Sequence, residues 1–137
     1  MLSNRKEIHV EWGDCDPAGI VYYPRFFEYF DACTNALFEK AGFQKLQMLK
    51  TYGLLGIPMV DTRAQFFVAA SFGETVTVES RIIEWGHSSF QVEHRLYKGD
   101  ALAAAGFEKR VWTVRDPQSQ RGMRSEAIPA EVKARFE

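Results

Sequence analysis

From residue 24 to residue 42, apolar side chains recur at steps of three and four: Phe26, Phe30, Cys33 and Leu37, with Phe27 and Phe38 beside them. That spacing predicts one long amphipathic helix. Pro24 suits its first position, and the glycine of "AGF" supplies a stop at Gly42. Residues 44–52 read as a shorter helical turn before "GLLGIP". The period then drops to two. Residues 58–70 are extended in character, and after the turn "SFGE" the chain places Val76, Val78 and Ile82 on one face, with Thr77, Glu79 and Arg81 on the other. "SSFQVEHRLY" alternates again with Phe90, Val92 and Leu96, and "KGD" at 98–100 closes a hairpin. A last long strand is expected over 101–115, weakened by Ala103 to Ala105 and Gly106, then a turn at 116–122 and a short helix at 129–136. Upstream, "EIHVEW" (7–12) predicts a short strand leading into the turn-rich "GDCDPAG". One early helix followed by antiparallel hairpins is an α+β pattern, expected to form a single domain over 1–137.

Composition narrows the partners. Lys and Arg number 17 against 18 Asp and Glu, a formal net charge of -1, which supplies no global field for nucleic acid or an anionic membrane. Eleven Phe, five Tyr and three Trp on a sheet covered by a single helix predict apolar area that a second copy must hide, hence an oligomer. Cys15 and Cys33 have neither disulfide nor metal-ligand spacing, and His9 and His87 have no partner at such spacing, so no metal site is expected. With no signal-peptide core and no membrane-spanning run, a soluble cytoplasmic protein is the expectation.

The chemistry concentrates in "WGDCDPAGIVYYP". Pro17 restricts Asp16 to extended backbone and Gly19 permits positive φ, so the bend can hold the Asp16 carboxylate in one direction. Ile20, Val21, Tyr22 and Tyr23 predict an apolar wall, beside which a poorly hydrated carboxylate is a better base or nucleophile. The start of the long helix follows at once, bringing unpaired backbone N–H groups suited to an oxyanion. Asp-Pro-x-Gly is equally a turn signature, and the residues alone leave both readings open.

The longer stretch "EWGDCDPAGIVYYPRFFEYFDA" resembles the signature segment of the 4-hydroxybenzoyl-CoA thioesterase family, hot-dog fold enzymes with a D-x-x-G-[IV]-V-aromatic-[Tyr/His] pattern after the first strand. The likeness continues more loosely through "GLLGIPMVDTRAQF", "VTVESRIIEW" and "SFQVEHRLY" to about residue 114. It implies an antiparallel sheet wrapped around a central helix, dimers or tetramers with active sites between protomers, an acyl-CoA substrate and no cofactor. It further implies that Asp16 is the catalytic carboxylate, that the Tyr23 N–H polarises the thioester carbonyl, and that Asp31 reads a ring hydroxyl.

Two departures bear on the substrate. Where the hydroxybenzoyl enzyme is basic and holds CoA phosphates, this chain has Gly86, His87, Ser88 and Ser89, so phosphate binding there rests on hydroxyls, amides and His87, or passes to Arg63, Lys109 or Arg110. Ile57 is apolar where a polar neighbour of the acyl hydroxyl is expected. Asp14 is assigned to capping or loop hydrogen bonding, His94 to a hydrogen-bonded core or interface position, and Cys15 to packing. The expected activity is hydrolysis of an aromatic acyl-CoA. The alternatives are a short- or medium-chain acyl-CoA or acyl-carrier-protein thioesterase, and a non-catalytic acyl-CoA binding module. A hydratase is disfavoured because no histidine follows Asp16 at short range.

Overall fold

The structure, a computed structural model, describes residues 1–137. Strand β1 (Ser3–His9) leads through a 3-10 turn at Trp12–Asp14 to helix α1 (Pro24–Lys40). Helix α2 (Lys45–Tyr52) and the short β2 (Leu54–Gly56) follow, then β3 (Met59–Phe66), β4 (Thr75–Trp85), β5 (Ser89–Lys98) and β6 (Ala101–Val111). The chain finishes with β7 (Thr113–Arg115), β8 (Met123–Ser125) and α3 (Ala130–Ala134). A five-stranded sheet of order β1-β4-β5-β6-β3 packs around α1, and β2, β7 and β8 form a second small sheet. All of the strand pairings are antiparallel.

The predicted faces hold. Phe26, Phe30, Cys33, Leu37 and Phe38 are buried from the helix, and Val76, Val78, Ile82, Phe90, Val92 and Leu96 from the sheet. Each large side chain so buried is worth about 1.5–3 kcal/mol. The core has two parts. Phe26, Phe30 and Cys33 meet Val76, Val78, Leu96 and Ala104 at one end, while Leu37 and Phe38 meet Phe90, Trp112, Val132 and Phe136 at the other.

The Ala/Gly run that weakens the β6 pattern has a packing reason. A Cβ on Gly106 would lie 2.5 Å from Phe30 Cε2, so the small residues let the helix ring settle onto the strand. Three expectations are corrected. The first strand occupies Ser3–His9 rather than 7–12: it is an edge strand paired only with β4, and the chain beyond it coils into the 3-10 turn, with exposed Trp12 edge-on to Phe72 at 5.4 Å. The strand expected over 101–115 breaks at Trp112, whose N–H donates to Ser88 O at 2.7 Å, and resumes as β7 in the small sheet. The extended run 58–70 is strand only over Met59–Phe66.

Edge strand β3 lies open to solvent. Seven of its eight residues are exposed, among them Met59, Val60 and Phe66, and Phe67 and Val68 continue the strip beyond its end. Its outer edge pairs with nothing in this chain.

Candidate active site

The bend 14–22 is a small closed hairpin. Tyr22 N–H donates to Asp14 O at 2.8 Å, Cys15 bridges Val21, Asp16 N–H donates to Ile20 O at 3.0 Å, and Gly19 N–H returns to Asp16 O at 2.9 Å. Gly19 makes that return with φ +79°, a conformation other residues rarely adopt. The hairpin is pinned to the segment before β4 by Val21 N–H to Ala70 O and Phe72 N–H to Gly19 O. Asp16 is half-buried, and its Oδ1 accepts the Ala18 N–H at 2.8 Å, which leaves Oδ2 free of partners within the chain. The turn reading of Asp-Pro-x-Gly is thus correct for the backbone, and it holds one carboxylate oxygen while freeing the other.

Asp14 caps as expected, taking the Glu11 N–H on Oδ2 at 3.0 Å. The Tyr29 hydroxyl is buried without a hydrogen-bond partner, and burial together with the nearby Asp14 raises it well above the ordinary tyrosine range. Cys15 donates to Glu11 O at 3.5 Å; burial, then Asp14 and Asp16, push its thiol up, away from nucleophilic use.

Tyr23 caps α1, and its N–H has no acceptor within the chain. It borders an apolar pocket of about 290 Å³, walled also by Ile20, Phe26, Phe66, Val68 and Ala70. Asp16 does not line that pocket. The wall expected from 20–23 is only half formed, since Val21 is buried but Tyr22 and Tyr23 are 51% and 61% exposed. Their hydroxyphenyl rings stand free for a ligand or a second copy to cover.

The other expected residues gather elsewhere. Asp31 Oδ1 accepts from Arg110 Nη2 at 2.6 Å, and Arg110 Nη1 donates to Ile57 O at 3.1 Å. With Lys45, Thr34 and Asn35 these residues line a polar pocket of about 300 Å³. Ile57 therefore contributes its carbonyl to Arg110, and Lys45 from α2 lines the same pocket. Arg110 is not free to grip phosphate: it is buried, and its Nε donates to Glu108 Oε1 at 3.0 Å.

Behind Arg110 runs a buried chain that sequence reasoning missed. Thr34 donates to Glu108, His94 Nε2 lies 3.2 Å from Thr34 Oγ1, and His94 Nδ1 lies 2.7 Å from Ser80 Oγ. His94 is fully buried and stacks on Phe30 at 4.9 Å, the core role expected of it. Burial pushes Glu108 up, yet the hydrogen bonds and charges of His94 and Arg110 prevail and hold it below the ordinary carboxylate value. Burial opposes the charge on Arg110, and Glu108 and Asp31 more than restore it.

His87, Ser88 and Ser89 form the β4–β5 turn, tied by Gly86 N–H to Ser89 O, Ile128 N–H to His87 O and Lys133 Nζ to Gly86 O at 3.0 Å. Within one chain the expected residues therefore fall into three places, Asp16 with Tyr23, Asp31 with Ile57, and His87–Ser89. Asp16 and Tyr23 sit by the start of β4, and His87–Ser89 at its end, Thr75 to Trp85 away, which is about 33 Å at the strand rise. Asp31 lies eight helical residues beyond Tyr23, about 12 Å.

Residues 10–136 match the thioesterase-like superfamily. The chain is 34% identical over 128 residues to 4-hydroxybenzoyl-CoA thioesterase of Pseudomonas sp. strain CBS-3, covering 89% of each protein. It superposes on the structure of that enzyme with a TM-score of 0.88 at 32% identity, covering 97% of this chain and 98% of the other. An Asp-to-Asn mutant of 4-hydroxybenzoyl-CoA thioesterase complexed with 4-hydroxybenzoyl-CoA gives 0.88 at 30% identity over 98% and 99% of the two chains. A gentisyl-coenzyme A thioesterase gives 0.82 at 28% identity over 97% and 98%. The α+β fold is thus the hot-dog fold, and the chain belongs to the thioesterase-like superfamily of thioester hydrolases.

Proposed function

We propose that the protein hydrolyses an aromatic acyl-CoA thioester, with Asp16 as the catalytic carboxylate and the Tyr23 N–H as oxyanion donor. The observation that carries this is the closed hairpin. It holds Asp16 by one oxygen, frees the other, and delivers the chain directly to a helix start whose Tyr23 amide has no acceptor. Asp16 either attacks the carbonyl carbon, giving a mixed anhydride that water cleaves, or takes a proton from the attacking water. Both routes place negative charge on the carbonyl oxygen, where the Tyr23 amide and the positive end of α1 stabilise it. The CoA thiolate leaves without a strong acid. The likeness to 4-hydroxybenzoyl-CoA and gentisyl-CoA thioesterases supports an aromatic acyl group.

The free edge of β3 supports a dimer. Two copies pairing their free β3 edges antiparallel about a two-fold axis would bury the exposed Met59, Val60 and Phe66 strip. The pairing sets the Met59 end of one strand beside the Phe66 end of the other. The Asp31, Ile57 and Lys45 pocket and the His87–Ser89 turn of the second copy then approach the Asp16 and Tyr23 of the first. In this dimer, or in a tetramer made of two such pairs, each active site draws its acyl carbon chemistry from one protomer and its substrate-binding residues from the other. The two free cysteines favour a reducing, cytoplasmic setting.

Thiol release from a panel of acyl-CoAs by wild type and Asp16→Asn tests the reading. Asparagine keeps an oxygen for the Ala18 N–H, so folding should survive while kcat falls about a hundredfold or more. Equal thiol release by the two proteins overturns the assignment.

A further inference from the structure

The free carboxylate oxygen of Asp16 is only as well placed as the hairpin that carries it, and that hairpin rests on the segment 69–74. This segment lies in the connection from β3 to β4, which must cross the ends of β6 and β5, the two strands between them in the sheet. Ala70 O takes the Val21 N–H at 2.8 Å, Phe72 N–H donates to Gly19 O at 2.9 Å, and Ser71 bridges Ile20 between them. The packing of the segment itself is thin. Ala70 is its only buried side chain, and Phe72 is 56% exposed, so hydrogen bonds set where it sits.

One side chain gathers both ends of it. Lys98, the last residue of β5, donates from Nζ to Ala69 O at 2.8 Å and pairs with Glu74 Oε2 at 3.0 Å. The other oxygen of Glu74 accepts the Ser71 N–H, in the middle of the segment. The hydrogen bonds from Lys98 and then Ser71 hold Glu74 below the ordinary carboxylate value, so it is ionised at neutral pH. Glu74 has a further tie, its carbonyl accepting the Val10 N–H at 2.8 Å, whereas the Ala69 carbonyl is held by Lys98 alone. An ion pair this open to water adds little to overall stability, and its consequence is therefore local.

We propose that Lys98 and Glu74 are positioning residues for the hydrolysis: by closing the segment 69–74 onto the end of β5 they fix the catalytic hairpin, and with it the direction of the Asp16 carboxylate toward the thioester carbonyl. The inference rests on the thioesterase reading and adds two residues that act through backbone rather than on the substrate. Displacing a reacting group by about 1 Å can cost about a hundredfold in rate, so a partial release of the hairpin is readable in kcat.

The test measures thiol release from the best substrate of the acyl-CoA panel, per folded protein, in wild type, Lys98→Met, Lys98→Arg and Glu74→Gln. In Lys98→Met, kcat should fall about tenfold, with KM within about twofold and an unfolding midpoint near that of wild type. Lys98→Arg, which can still reach both oxygens, should recover most of the loss. Glu74→Gln keeps an acceptor for the Ser71 N–H and should lose less, and combining it with Lys98→Met should be no slower than Lys98→Met alone. Hydrogen exchange supplies a readout independent of turnover: the Val21 and Phe72 amides should exchange at least about tenfold faster in Lys98→Met, while the amides of β4 and β5 keep wild-type rates. Wild-type kcat in Lys98→Met overturns the proposal, as does a loss confined to KM, a loss that tracks a lowered unfolding midpoint, or a fall in kcat with unchanged exchange at Val21 and Phe72. Asp16→Asn assayed beside them separates the two readings. Full thiol release by that variant sinks the catalytic assignment, whereas an inactive Asp16→Asn beside a fully active Lys98→Met sinks the clamp alone.

Discussion

The ring of Phe30 stacks on the His94 imidazole at 4.9 Å, and its edge lies against the bare backbone of Gly106, the residue that faces His94 across β5 and β6. This contact fixes α1 over the middle of the sheet, and thereby fixes the height of the helix start that carries Tyr23. Gly106→Ala should cost about 1–3 kcal/mol, because its Cβ would lie within 3 Å of three Phe30 ring atoms and any shift of the ring would disturb its stacking on His94. Denaturant unfolding measures the loss, and a variant as stable as wild type would show that the helix lifts freely.

Glu108 should give the fold an acid limit. Its folded pKa is depressed from an ordinary 4.5, so the stability it contributes is fully present above about pH 4.5 and is lost as pH falls below that. Unfolding free energies followed from pH 6 to pH 3 should drop in wild type and drop less steeply in Glu108→Gln. Glu108→Ala, which strands buried Arg110 beside Thr34 and His94, should cost about 3–5 kcal/mol.

The thiols should be bystanders. Burial, and to a lesser degree nearby Glu108, raise the Cys33 thiol to about 12, so thiol reagents at pH 8 should reach it only on unfolding. Cys15→Ser should retain activity within about threefold, since a raised thiol with no oriented base is no nucleophile. A hundredfold loss would place Cys15 in the chemistry.

Charge on the free edge should break the assembly. Val60→Lys puts an ammonium on the exposed strip of β3, and sedimentation should find monomers whose far-ultraviolet dichroism is that of wild type. Those monomers should be inactive on the composite-site reading, because one chain holds Asp16 and Tyr23 about 33 Å of strand away from His87–Ser89. An active monomer would end the composite-site reading.

The legible parts of the sequence were those governed by local repetition. Phe26, Phe30, Cys33 and Leu37 announce the helix, and Val76, Val78 and Ile82 the strand, because one face of each is buried throughout. The β1 strand was displaced because a polar edge strand such as Ser3–Glu7 has no buried face to impose alternation, whereas Ile8 and Val10 after it do alternate. Trp112 hid the break in the last strand: its burial continues the apolar run while its hydrogen bond to Ser88 turns the backbone out of the sheet. Asp16, Tyr23 and Asp31 came forward through motif resemblance. The Ser80, His94, Thr34, Glu108 and Arg110 chain could not, since all of its links but the one between Glu108 and Arg110 join residues 14 to 79 apart, with Asp31 at its end. Lys45 looks like any surface lysine until α2 turns it toward Arg110.

A site shared between Asp16 of one copy and Asp31 of the other, as proposed, would give the protein a genetic signature. An Asp16→Asn chain and an Asp31→Ala chain are each defective alone in both halves of their own dimer. Refolded together in equal amounts, random pairing makes half of the dimers hybrid, and each hybrid owns one site built entirely from wild-type residues. The mixture should recover about a quarter of the native rate, a complementation that no enzyme with self-contained protomers can produce.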